Sequence, residues 1–182
     1  MRRALILLLT CTLFVGGLWF APGFSGAAGP TDPEPDPARR GTAVQVEPTA
    51  PSPDGTGRRV IYSKFWQTVW VVEESGEVVR QYRVSGRYDQ PDFGTYYVWS
   101  KSMYTCNTVH PDICMRYMVR FAHGPNGGNI GFHEIPVWNG RPLQTNEMLG
   151  RALSDGCVRQ STADAMFMWE WAQVGTKVVV VP

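Results

Sequence analysis

The chain has 182 residues, 43% of them hydrophobic and 18% charged, enough for one domain of ordinary size once a targeting segment is set aside. Seventeen Lys+Arg against 16 Asp+Glu leave a formal charge of +1, which gives no electrostatic footprint for nucleic acid. Nineteen Gly and 14 Pro demand many turns, which excludes a coiled coil and a multi-span membrane protein.

Met1-Arg2-Arg3 precedes an uncharged, strongly apolar stretch over residues 4–24. A basic start followed by an apolar run is an export signal, and small residues at Ser25, Gly26, Ala27 and Ala28 suit cleavage. The same run is long enough to stay as a membrane anchor. Either way the rest of the chain is expected outside the cytoplasm. Cys11 lies inside the apolar run, where lipid modification is not expected. Residues 29–57, with PTDPEPDPARR and VEPTAPSPDGTG, hold too few large apolar side chains to offset ordering entropy and read as a flexible linker. The working domain is then 58–182.

That domain is written mostly in strands. Val60-Ile61-Tyr62 and Thr68-Val69-Trp70-Val71-Val72 are β-branched and aromatic runs, and a further strand is expected over 78–85 after a turn at Glu74-Ser75-Gly76-Glu77. Strand patterns recur over 95–99, 117–121 and 129–133, and the apolar run 177–181 closes the chain as a buried strand. Ser161 is a good N-cap for one helix, with Asp164 in its first turn and Gly175 beyond its end. Met166, Met168, Trp169 and Trp171 are expected to pack on a sheet rather than line a cofactor site. The predicted class is mainly β, a sandwich or mixed sheet with one or two short helices. No glycine-rich loop joins a strand to a helix, so nucleotide binding has no support.

Three cysteines lie beyond the apolar segment: Cys106, Cys114 and Cys157. Outside the cytoplasm cysteines tend to pair. Cys106 and Cys114 flank the short loop TCNTVHPDIC and are expected to form a disulfide. Two free thiols, or a metal set completed by His110, are the alternatives, although the spacing matches no common zinc pattern. Cys157 is then left alone. It follows Gly156, precedes Arg159 by two residues and stands just before the helix, in Ser154-Asp155-Gly156-Cys157-Val158-Arg159. Glycine lets backbone approach a ligand closely, and successive N–H groups at a turn can hold an oxyanion. His133 ends a strand pattern, where a base could meet the thiol. A buried inert cysteine with an incidental histidine fits the spacing as well.

The stretch IGFHEIP and the later LGRALSDGCVRQSTADAMFMWEWAQVGTKVVVV resemble the L,D-transpeptidase catalytic domain of bacterial cell-wall enzymes. His133, Ser154, Gly156, Cys157, Val158 and Arg159 match its pattern of a histidine, a loop and Ser-x-Gly-Cys followed by an apolar residue and Arg or Asn. Val84-Ser85-Gly86 and the segment 91–98 look like its upstream strand and its Pro-x-Gly-x-aromatic element. The resemblance covers about residues 59–181. It departs at Asp155, where many members carry His, and the loop between His133 and Ser154 is long enough to suggest an extra flap.

The resemblance implies that Cys157 attacks a tetrapeptide stem of peptidoglycan, expels its terminal D-Ala and passes the acyl group to an amine on a neighbouring stem. His133 would handle the thiol proton, with a backbone carbonyl near Glu134 orienting its ring. Gly156 and Cys157 N–H groups would bind the oxyanion. Ser154, Asp155 and Arg159 would support the turn or contact substrate. Asp155 could face the thiol, pair with His133 or line the rim, and the rim is preferred. Neither cofactor nor metal is implied, and a monomer contacting the membrane only through its N-terminal segment is expected. An L,D-carboxypeptidase on the same stems and a non-catalytic peptidoglycan-binding module are the alternative functions. Carbapenems would be expected to acylate the site.

Overall fold

The computed structural model describes residues 48–50 and 56–182. The proposed signal or anchor and most of the linker fall outside these residues.

Among the described residues, eleven strands form two sheets with one α-helix beside them. The first sheet holds β1 (Arg59–Ser63), β2 (Thr68–Val72), β3 (Val78–Arg83), β4 (Gly94–Tyr97) and β11 (Lys177–Val181), in the order β3-β2-β1-β11-β4. β1 runs parallel to β11 and antiparallel to β2, each over five residue pairs without a slip. These strands are the β-branched runs visible in the sequence, and β1 and β2 are buried along their whole length. In β11 burial alternates, with Val178 and Val180 turned inward.

The second sheet holds β5 (Ser100–Cys106), β6 (Ile113–His123), β7 (Asn129–Glu134), β8 (Val137–Trp138), β9 (Arg141–Pro142) and β10 (Val158–Gln160). β6 pairs with β5 on one edge and with β7 and β8 on the other. β10 lies parallel to β7. Val119, Phe121, Phe132 and Val158 meet Val60, Tyr62, Val69 and Val180 of the first sheet in one buried cluster. Phe121 and Phe132 stack at 4.7 Å, and Tyr62 meets the edge of Phe132 at 6.5 Å.

Helix α1 (Thr162–Trp171) starts where the sequence places it: the Ser161 hydroxyl accepts from the Asp164 N–H at 3.1 Å. Arg80 holds the Asp164 carboxylate through Nε and Nη2 at 3.0 and 2.6 Å. Met168 and Trp171 are buried in the core, as expected. Met166 is not. It is 48% exposed, because a ten-residue helix on the flank of a sheet buries one face only.

Two further expectations change. Residues 48–50, assigned to the free linker, touch the domain: Ala50 packs on Ile61, Trp70 and Val72, and the Pro48 carbonyl accepts from Gln81 Nε2. The apolar outer face of the first sheet recruits them. The loop after His133 is no separate flap. β8 and β9 form a hairpin through Asn139-Gly140, both at positive φ, and β8 is hydrogen-bonded to Ile113–Cys114 of β6.

Candidate active site

β7 and β10 build the site. In their parallel register Val158 lies opposite Phe132, both in the core, and Arg159 lies opposite His133. Side chains alternate along a strand, so His133 and Arg159 face away from the core, and Cys157, one residue before Val158, projects with Arg159. The thiol lies along the same line of β7. Its S–H donates to the Asn129 carbonyl at 3.4 Å, and it also takes a backbone hydrogen bond from Gly131. Asn129, Gly131 and His133 are alternate residues of β7, and the Cys157 thiol meets the first two.

Gly131 is required there. A Cβ on it would stand 2.5 Å from the Val119 carbonyl oxygen and 3.0 Å from Arg120 Cα. β6 and β7 slip register between Arg120 and Ala122, a bulge that brings the two backbones together beneath the thiol.

His133 is 2% exposed. Its Nδ1 meets the Glu134 carbonyl oxygen at 2.5 Å. A carbonyl can only accept, so Nδ1 carries the proton and Nε2 holds the lone pair. Burial lowers the imidazole pKa to about 4; the Glu134 carbonyl opposes this and the Arg159 charge adds to it. Burial likewise raises the Cys157 thiol above its ordinary range. The Gly131 hydrogen bond and the charges of Arg159 and Arg120 oppose that rise, while Asp155 adds to it. At neutral pH the resting pair is therefore a thiol and a neutral imidazole.

The turn that carries Cys157 is pinned at both ends. The Ser154 N–H donates to Gly86 O at 3.1 Å, and Ser85 and Arg159 exchange backbone hydrogen bonds at 2.8 and 2.9 Å. Gly156 has φ +142°, and its N–H donates to Ser154 Oγ at 3.1 Å. This corrects the expectation of two free donors for an oxyanion. Ser154 closes a local turn of its own and engages one of them.

Arg159 is buried, with Nη1 donating to Gln144 Oε1 at 3.0 Å and to the Leu153 carbonyl at 3.2 Å. Of the roles left open for it, the structure shows the one that holds the turn. The Asp155 side chain is 95% exposed and 3.9 Å from Arg159, so it points to solvent. Glu134 contributes its carbonyl to His133, while its buried carboxylate takes Arg116 Nε and Nη2 at 2.7 and 2.9 Å. Cys106 and Cys114 are disulfide-bonded and face each other across β5 and β6. The bond removes the free-thiol and metal alternatives, and no cluster suited to a metal occurs among the described residues.

Sequence reasoning missed Gln90, Asn129, Gly131 and Gln144. Gln90 Nε2 donates to the Asp155 carbonyl at 2.6 Å. Gln144 bridges Arg159 to a groove of about 910 Å³ lined by Tyr104, Arg116, Glu134, Val137 and Thr162 among others. Neither His133 nor Cys157 lines that groove. Only Gln90 had a neighbouring signal, in the Pro91 element beside it.

The sequence matches the YkuD L,D-transpeptidase catalytic domain over residues 53–180. The chain belongs to the L,D-transpeptidase catalytic-domain family. Solved structures of similar fold include an L,D-transpeptidase from Stackebrandtia nassauensis, at 21% identity and TM-score 0.54 over 70% of this chain and 56% of that one. An L,D-transpeptidase from Mycobacterium smegmatis is similar at 18% identity and TM-score 0.55, over 70% of this chain and 60% of that one. L,D-transpeptidase 3 from Mycobacterium tuberculosis, in complex with a faropenem-derived adduct, is similar at 19% identity and TM-score 0.51, over 70% and 61%. This L,D-transpeptidase-family chain thus spans 56–61% of the length of those three. Comparison with curated proteins gives no match.

Proposed function

We propose that the domain is a cysteine-dependent L,D-transpeptidase acting on peptidoglycan stem peptides. One observation carries the reading. His133 is locked with Nδ1–H on the Glu134 carbonyl, which leaves Nε2 as a base on the face that bears Cys157.

In the first half-reaction the Cys157 proton passes to His133 Nε2 as Sγ attacks the carbonyl before the terminal D-Ala of a donor tetrapeptide. The oxyanion that forms takes the Cys157 N–H; such a donor commonly contributes a few kcal/mol. The imidazolium is short-lived in a buried setting that disfavours its charge. It therefore returns the proton readily to the departing amine as the C–N bond breaks, leaving a thioester on Cys157. In the second half-reaction an acceptor amine gives a proton to Nε2 and attacks the thioester carbonyl. A new amide forms, and the sulfur leaves and regains its proton from the imidazolium. Water in place of the amine would give L,D-carboxypeptidase products. The disulfide supports an oxidising, extracytoplasmic setting.

Intact-mass measurement of the protein with a tetrapeptide donor, and separately with a carbapenem, tests the reading. One covalent adduct is expected, mapped to the Cys157 peptide and absent from Cys157→Ala. No adduct on folded protein, with wall binding retained, would favour a non-catalytic binding module. Product analysis with and without an acceptor stem separates cross-linking from hydrolysis.

A further inference from the structure

Gln90 precedes the Pro91 element, far in sequence from the nucleophile, yet its side chain sits against the turn that carries Cys157. Its Nε2 donates to the Asp155 carbonyl at 2.6 Å. The other end of that same peptide unit, the Gly156 N–H, donates to Ser154 Oγ at 3.1 Å. The peptide unit next to Cys157 is thus held at both its carbonyl and its amide.

The packing around Gln90 is close. A Cβ on Gly156 would lie 2.6 Å from Gln90 Nε2, and one on Gly124 would lie 2.9 Å from Gln90 Oε1. The amide therefore fills the space between the β6–β7 turn and the nucleophile turn. It is also fixed from behind. Buried Lys64, at the end of β1, donates Nζ to the Pro91 carbonyl at 2.7 Å and lies 4.2 Å from the centre of the Phe93 ring. A chain of contacts thus runs from the rigid first sheet through Lys64, Pro91 and Gln90 to the Asp155–Gly156 peptide.

We infer that Gln90 is a positioning residue, whose side-chain amide fixes the Asp155–Gly156 peptide and so the place of the Cys157 thiol and N–H during acyl transfer. The consequence for acyl transfer rests on Cys157 being the nucleophile; the clamp itself does not. A group that fixes a reacting geometry without touching substrate changes the rate of the chemical step more than it changes binding.

Gln90→Met keeps the length of the side chain and removes the donor. Hydrogen exchange of the Gly156 and Cys157 amides should then rise roughly tenfold or more, with β1 and β2 unchanged. The maximal rate of carbapenem acylation should fall about tenfold or more, with the half-saturating carbapenem concentration within about twofold of the parent. Gly124→Ala, which presses on Gln90 from the opposite side, should slow acylation in the parent but not in the Gln90→Met background. Unchanged exchange in the turn would overturn the clamp. A changed half-saturation with an unchanged maximal rate would overturn it in favour of a substrate contact. A general rise in exchange across the domain would overturn it in favour of a purely structural role. If the parent protein forms no adduct, the proposed function fails, and the exchange measurement still decides the clamp.

Discussion

The two sheets obey different rules. In the first, β1 pairs with β2 and β11 through unbroken registers, the register shift at Val71/Val72 faces the edge strand β3, and Val60, Tyr62, Val69 and Val71 are almost wholly buried. In the second, β6 slips register against β7, Tyr117 takes φ +59°, and the thiol sits where a glycine lets two backbones approach. Regular pairing optimises burial. The irregular stretch gives up pairing where β6 and β7 approach closely beside Cys157. Changes in the first sheet should therefore cost stability, and changes in the second should cost chemistry.

The largest effect expected comes from pH. His133 is buried neutral with its pKa lowered to about 4, so the unfolded chain takes up a proton that the folded one resists. Stability is complete above about pH 6.5 and falls as pH drops toward about 4, by about 3 kcal/mol from this group. Denaturant titrations across that range should show the loss, and His133→Gln should have a flatter profile. Equal slopes in both proteins would contradict the assignment. Under the proposed function, a neutral imidazole and a protonated thiol at rest make the acylation rate nearly constant between about pH 5 and 8.

Gly131→Ala sharpens the contrast from the catalytic side. The added methyl meets the Val119 carbonyl at 2.5 Å, and relief requires β7 to move away from β6 beneath the thiol. Acylation should fall by about 100-fold, near 2.7 kcal/mol, measured per folded molecule. An unchanged rate would show that the close approach serves packing alone.

Val60→Ala is the complementary test in the regular sheet. Val60 is fully buried, and removing two methyl groups should cost about 2 kcal/mol by chemical denaturation. The acylation rate of the folded fraction should stay within about twofold, since Val60 packs in the core while the link from β1 to the Cys157 turn runs through Lys64 at the strand's end. A large rate loss would mean that packing at Val60 itself is coupled to the site.

The smallest effect belongs to Asp155. With its side chain 95% exposed and 3.9 Å from Arg159, its ion pair contributes little. Asp155→Asn should shift apparent donor affinity modestly and leave the pH dependence of acylation nearly unchanged. A tenfold loss of rate, about 1.4 kcal/mol, would place Asp155 in the reacting set instead.

The amino-acid sequence by itself determined much of the regular structure. β-branched runs became β1, β2 and β11, Ser161 became the helix cap, and Gly156-Cys157 became a tight turn at a strand entrance. Those signals are local, because propensity, capping and positive φ act within a few residues. The Asn139-Gly140 pair was equally local and marks the β8–β9 hairpin. Tertiary structure alone decided the rest: that His133 Nδ1 donates to the Glu134 carbonyl, that Arg159 donates to Gln144 and Leu153, that Gly131 must lack a Cβ, and that Gln90 reaches Asp155 across 65 residues. Each of these depends on which atoms face one another across strands distant in sequence. Side-chain type states what a residue can donate or accept, and only the packed register states to whom.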